Sequence, residues 1–140
     1  MNEKLNELLA DLVIETHKLQ SLHWYVKGND FFEAHPQLDV FYGQVGAMVD
    51  EAAELMLMCG FKPISSVKEF LAVSKIEEHK GEFRTSKATY AEIAKDFDTI
   101  LRCLAKVRKQ AEKDGLDIVT IKTDPMVEVF SKAIWMLNQR

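Results

Sequence analysis

Cysteine is scarce in this chain, and its scarcity excludes two classes of protein. Cys59 and Cys103 are the only two among 140 residues, too few and too far apart for a disulfide framework or a thiolate zinc site. Both fall in apolar helical patterns and read as reduced core residues. Long hydrophobic runs are missing too: the longest, such as Leu55 to Cys59, are a few residues, against the ~20 needed to cross a bilayer. The first ten residues mix charge with leucine and have neither the basic start nor the apolar stretch of a signal peptide, so a cytoplasmic protein without membrane association is expected. No period-two alternation is long enough for a sheet, and no internal repeat or low-complexity tract occurs. A cationic tail is lacking as well. Net charge is −4, Glu3, Glu7, Asp11 and Glu15 outnumber Lys4 and Lys18 before Val26, and the sequence stops at Arg140 without a basic extension. DNA binding through tails is therefore not expected.

What is present is helical periodicity. With 47% hydrophobic residues, residues 1–140 suffice for one domain around one core. Helix one carries Leu5, Leu8, Leu9, Leu12, Leu19, Leu22 and Val26 and is expected to close at Gly28. Helix two is expected from about Ala34 to Cys59, ~39 Å long and stopped by Gly60, with Pro36 in its first turn and His35 at its very start. Ser66-Val-Lys-Glu69 has capping-box spacing and opens a short helix carrying Phe70, Leu71 and Val73. Thr89-Tyr-Ala-Glu92 is a second match, opening helix three through Ile93, Phe97, Ile100, Leu101, Leu104, Val107 and Ala111 to Gly115. Leu116 to Thr123 is expected to be a loop rich in β-branched residues, and Asp124-Pro125 to cap helix four, with Met126, Val127, Phe130, Ala133, Ile134 and Leu137 on its apolar face. Two helical hairpins joined by a long crossover that holds a short helix predict an all-α, ferritin-like four-helix bundle.

The residues that point to chemistry are His23, His35, Asp39, Asp50 and Glu54. At ~100° per residue, with His35 at zero, Asp39 falls near ~40°, Asp50 near ~60° and Glu54 near ~100°, one stripe of helix two. The His35/Asp39 and Asp50/Glu54 pairs lie ~22 Å apart along the axis, so they cannot share a metal within one chain. Two antiparallel copies about a two-fold axis bring one pair against the other, twice. Imidazole plus carboxylate without thiolate suits Fe, Mn or Zn. The competing explanation is solvated carboxylates, common in a chain with 22 Asp plus Glu, with His35 as a cap or interface histidine. The surroundings favour the metal: Val45, Ala47, Met48 and Val49 precede Asp50, and Leu55, Met56, Leu57 and Met58 follow Glu54, so the acids interrupt an apolar helix and need a partner, a cation or a subunit boundary. Met48, Met56 and Met58 read as packing residues. The Glu-x-x-His pairs of di-iron bundles are missing, because Ile14, Gln20, Phe32 and Ile76 stand three residues before the four histidines.

The segments Leu22-His-Trp-Tyr-Val-Lys-Gly28, Phe31-Phe-Glu-Ala-His35, Asp39, Asp50-Glu-Ala-Ala-Glu54 and Lys68-Glu-Phe-Leu71 through Ile76-Glu-Glu78 resemble the Dps family of miniferritins, the DNA-binding proteins from starved cells and their non-DNA-binding relatives. The match is dense from about residue 17 to 78 and returns at Ile134-Trp-Met136. The resemblance implies a hollow dodecamer of two-fold dimers, with His23, His35 and Asp39 from one subunit and Asp50 and Glu54 from its neighbour. It further implies ferroxidase activity on Fe(II), with hydrogen peroxide or oxygen as oxidant, and storage of Fe(III) as mineral against oxidative stress. Trp24, next to His23, reads as an interface aromatic and secondarily as a residue oxidised in place of free hydroxyl radical. Asp114, Asp117, Asp124 and Glu128 gather around the third loop, where acidic residues line a three-fold iron-access channel in the family; the alternative is a solvated acidic loop. Leu55 departs from the family, which often has arginine there. Two rival functions remain: a DNA-coating nucleoid protein, and a helical-bundle hydrolase using Zn or Mn at the same residues.

Overall fold

In a computed structural model, residues 1–139 are described; Arg140, where the missing basic extension was noted, lies outside them. The elements are α1 (Asn2–Tyr25), β1 (Val26–Lys27), α2 (Phe31–Met58), α3 (Val67–Val73), β2 (Arg84–Thr85), α4 (Ser86–Asp114) and α5 (Asp117–Leu137). Helix α1 packs chiefly on α2 and α4 on α5, while α1 against α4 and α2 against α5 close a four-helix bundle. The leucine stripe of α1 is buried as its spacing predicts, in one core cluster with Leu38, Val45 and Leu55 of α2 and Ile93, Ile100 and Leu104 of α4. Phe97 joins three helices: its ring meets Phe41 edge-on at 5.5 Å and Phe130 at 4.9 Å. No helix among the described residues is long and apolar enough to cross a membrane.

The crossover from α2 to α4 runs alongside α1 and is fastened to it at intervals. Near the start of α1, Lys62 N–H donates to Asn2 Oδ1 and Ile64 N–H to Asn6 Oδ1. Halfway, Ser74 Oγ and Lys75 N–H both donate to Asp11 Oδ1 at 2.8 Å. At the far end Ser21 Oγ lies 2.8 Å from His79 Nδ1, and β1 pairs in parallel with β2, Val26 opposite Arg84. This short pairing is the one departure among the described residues from an all-helical expectation. Within the crossover Ser66 and Glu69 form the expected capping box on α3. Gly81, at φ 74°, packs against Tyr25, whose hydroxyl lies 3.2 Å from where a Cβ would stand; any side chain there meets both backbone strain and the ring.

Four boundaries differ from expectation. The Leu116–Thr123 segment is helical: Leu116, Val119, Thr123, Met126 and Phe130 keep a spacing of three or four, and all but the half-buried Leu116 are buried. Packing overrides the weak helix preference of its β-branched residues. Pro125 thus sits inside α5 and Pro36 inside α2, which begins at Phe31 rather than Ala34. Each proline removes a hydrogen bond to the carbonyl four residues back, and those residues, Phe32 and Ile121, are solvent-exposed, so water can take the freed carbonyl. Helix α4 starts at Ser86, capped by Thr85 Oγ1, which accepts from Ala88 N–H. The Thr89/Glu92 spacing is no cap: Thr89 is buried and donates to the Thr85 carbonyl, while Glu92 pairs with Lys18 and Arg84. Gly28 does not end α1; Val26 does, in extended geometry. Gly60 and Gly115 do follow helix ends with positive φ, as expected. Of the three methionines, Met48 and Met56 are core residues and Met58 is exposed.

Candidate metal centre

His23 lies in the last turn of α1 and His35 in the second turn of α2, and the connection between the helices folds them together. Their rings stack with centroids 3.6 Å apart and planes 12° from parallel. Each ring nitrogen Nδ1 reaches the other residue's main-chain carbonyl: His23 Nδ1 to His35 O at 2.6 Å, His35 Nδ1 to His23 O at 2.8 Å. A carbonyl can only accept, so both Nδ1 atoms carry hydrogen, and in the uncharged imidazole Nε2 keeps the lone pair. Such a main-chain anchor is the device that orients metal-binding histidines. Phe31 stacks on the other side of His35 at 4.7 Å, and Tyr42 meets His23 edge-on at 5.5 Å. One turn on from His35, the exposed Asp39 accepts a hydrogen bond from the Tyr42 hydroxyl; that bond first, then partial burial and the Asp39 charge, holds the phenol above its usual value. Sequence reasoning missed Tyr42, although its three-residue step from Asp39 was available as a signal.

Asp50 and Glu54 occupy the exposed face of α2, opposite buried Met48, Ala52, Leu55 and Met56. The Glu54 carboxyl lies above the usual carboxylate range, mainly because it is hydrogen-bonded to Asp50 and secondly because of the Asp50 charge; Lys122 acts in the opposite sense. Two like charges this close favour sharing a proton or taking a cation. Because α2 is uninterrupted from Phe31 to Met58, the two ligand pairs stay ~22 Å apart in one chain. Among the described residues no three of the five candidates bring donor atoms within 4.8 Å of one another. Each chain therefore presents two separate clusters, one of imidazoles with a carboxylate and one of paired carboxylates.

Trp24 is 55% exposed, and its ring partner is His17, edge-on at 6.0 Å, rather than the adjacent His23. Asp117, Asp124 and Glu128 do not gather on a loop: α5 spreads them along one exposed stripe, separated by seven and four residues. Asp124 is paired with Arg108 at 2.6 Å, and Asp114, at the end of α4, accepts from Gln110. Leu55 is fully buried.

A second set of charged residues escaped sequence reasoning. Glu15, Lys18 and Asp96 are buried between α1 and α4, with Lys18 Nζ 2.8 Å from Asp96 and 3.1 Å from Glu92. No N–H or O–H donor reaches either Glu15 oxygen. Burial, and then the Asp96 charge, raise the Glu15 carboxyl well above the usual range, favouring its protonated form beside Asp96. The signal was the four-residue step Glu7, Asp11, Glu15, which places acids between leucines on an inward-turning stripe.

Comparison with known proteins places this arrangement in context. The family described as "Ferritin-like domain" matches residues 2–139. The "DNA protection during starvation protein" of Listeria innocua is 33% identical over 97% of this chain and 88% of its own length. Antigen TpF1 of Treponema pallidum is 33% identical over 97% of this chain and 77% of its own, and a crystal structure of TpF1 superposes with a TM-score of 0.95 over 98% of this chain and 88% of that one, at 28% identity. The crystal structure of Dps from Staphylococcus aureus gives 0.92 at 29% identity, covering 97% and 91%.

Proposed function

This chain belongs to the ferritin-like domain family, among the DNA protection during starvation (Dps) proteins, and from that premise we propose that it is an iron-sequestering ferroxidase. Iron is its substrate and its cargo. His23, His35 and Asp39 of one subunit and Asp50 and Glu54 of its two-fold neighbour bind Fe(II) at the subunit boundary. Oxidised iron is stored as ferric mineral in a closed assembly, a dodecamer of single-domain subunits in the cytoplasm. The observation that carries this reading is the reciprocal histidine clasp, which anchors both Nδ1 atoms and leaves both Nε2 atoms for a metal. The hydrogen-bonded Asp50/Glu54 pair supplies the hard oxygen donors that Fe(III) prefers.

The chain's residues act by binding and orienting. Hydrogen peroxide is the proposed oxidant: two Fe(II) ions give up one electron each, the O–O bond breaks, and two protons complete two molecules of water. A lone Fe(II) supplies one electron and leaves hydroxide and hydroxyl radical. Trp24, exposed near the boundary, is positioned to supply the second electron, so that the radical is reduced to hydroxide and the indole takes the one-electron oxidation. Asp117, Asp124 and Glu128 are proposed to guide iron toward the cavity, with Asp124 exchanging its Arg108 partner for passing cations. Protection comes from removing Fe(II) and peroxide together, not from coating DNA.

The test is anaerobic loading with Fe(II), addition of hydrogen peroxide, and measurement of ferric absorbance and particle mass in one sample. The reading expects fast oxidation and iron retained in a particle of roughly twelve subunits. A small particle that neither oxidises nor retains iron contradicts it.

A further inference from the structure

Away from the histidines, α1 and α4 bring together three groups with no part in the proposed iron chemistry. Glu7 and Asp11, one turn apart on α1, meet Cys103 of α4, and one donor atom from each lies within 4.8 Å of the other two. Asp11 is fully buried and Cys103 is 4% exposed. Asp11 Oδ1 is held by Ser74 Oγ and Lys75 N–H, both at 2.8 Å, while Oδ2 is buried with no hydrogen-bond partner. One oxygen is thus anchored and the other left buried and unpartnered, and supporting hydrogen bonds of this kind orient a carboxylate ligand.

We propose that Glu7, Asp11 and Cys103 form a second, intrasubunit metal site, for a borderline divalent transition ion such as Zn(II) or Co(II), that ties α1 to α4. A thiolate beside two carboxylates selects such ions over Mg(II) or Ca(II). Bonds of ~2.0–2.3 Å in a tetrahedral site set ligand–ligand separations of ~3.3–3.7 Å, so donors already within 4.8 Å need to close by about an ångström. As the metal–sulfur bond forms, the thiol proton passes to solvent, and water fills the fourth position. Burial first, then the Glu7 and Asp11 charges, push the Cys103 thiol up to about 12; a bound cation relieves both effects. Access runs through a cavity of about 290 Å³ bordered by Thr99, Arg102 and Lys106. Lys75 stands at its mouth, with Nζ 2.7 Å from Glu7 and a side chain 55% exposed, free to swing into solvent. Arg102 is already paired with Asp98 at 2.6 Å. From Asp11 to His23 is ~18 Å along α1, so the site does not depend on iron oxidation at the subunit boundary.

The experiment is titration of the assembled, metal-free protein with Co(II), read by the near-ultraviolet sulfur-to-cobalt charge-transfer band. Co(II) held by histidines or carboxylates elsewhere adds nothing to that band. One equivalent per subunit is expected in the parent and in Cys59→Ser, no band in Cys103→Ser, and at least tenfold weaker binding in Asp11→Asn, which keeps the shape and the Oδ1 acceptor. Lys75→Gln should bind Co(II) more tightly, an effect opposite to that of losing a merely structural ion pair. Absence of the band in the parent, or its survival unchanged in Asp11→Asn, overturns the proposal. The rate of Fe(II) oxidation in Cys103→Ser should equal the parent's, which keeps a failure here separate from a failure of the ferroxidase reading.

Discussion

Two groups of acids in this molecule have opposite fates. Between α1 and α4, Glu15, Asp96 and Glu92 surround the buried ammonium of Lys18, so the chain supplies its own cation and seals it in. On the outer face of α2, Asp50 and Glu54 stand together in the open with no ammonium or guanidinium paired to them among the described ion pairs, and the hydrogen bond to Asp50, then the Asp50 charge, raises Glu54. The difference teaches what distinguishes a carboxylate compensated inside the fold from one left open to an outside partner. Burial demands that the compensating charge be covalently part of the fold, whereas an exposed pair can be left for a mobile cation or a neighbouring subunit.

The strongest way to break the comparison is to remove the internal cation. Lys18→Met should cost about 3–5 kcal/mol, because Asp96 is left charged and buried; a urea midpoint close to the parent's would show that the cluster does not need its ammonium. Next is the exposed side. Asp50→Ala and His23→Ala should each abolish fast Fe(II) oxidation in a stopped-flow assay while leaving the urea midpoint near the parent's, since Asp50 is exposed and His23 only half-buried in the chain. A rate equal to the parent's would remove the residue from the mechanism.

A subtler prediction concerns protons. The Glu15 carboxyl is raised in the folded state, so its contribution to stability is complete below its unfolded value of 4.5 and is lost as pH rises toward the folded one. Glu15→Gln keeps a donor toward Asp96 and cannot ionise. Its urea midpoint should therefore gain on the parent's as pH rises above 4.5, and a constant difference across that range would contradict the assignment. The smallest effect is expected at the surface, where Ser66→Ala removes the capping box of α3 at a cost of about 1 kcal/mol. That variant measures what a local, solvated interaction contributes beside the buried ones.

The helical bundle was legible in the sequence because its apolar periods are long, and four of the five ligand candidates, His35, Asp39, Asp50 and Glu54, because they share a stripe of α2. What stayed hidden depended on tertiary contacts. The Leu116–Thr123 segment looks like a loop if its β-branched residues and the following Asp-Pro are weighed locally; Val119 and Thr123 become helical because α4 gives them a face to bury, with Arg108 Nη1 bonding Thr120 O and Thr123 Oγ1. Asp11 and Glu15 counted only toward the acidic balance before Val26 because their partners, Ser74, Lys75, Lys18 and Asp96, include residues about sixty to eighty positions away. The histidine clasp was half visible. Spacing pointed to His35 and the family resemblance to His23, but a main-chain carbonyl is available at every position, and only the turn between α1 and α2 determines which ones they reach.

The most direct test of the central claim uses the division of ligands between subunits. One variant lacks the histidine half, His23→Ala with His35→Ala, and a second, differently tagged, lacks the acid half, Asp50→Ala with Glu54→Ala. Each assembled alone should be inactive toward Fe(II) and peroxide. When the two are co-assembled and mixed particles purified by both tags, every mixed two-fold dimer regains one intact site of its two, so fast oxidation should return at up to half the parent's rate per subunit. Mixed particles as inactive as either variant alone would contradict a site shared between subunits.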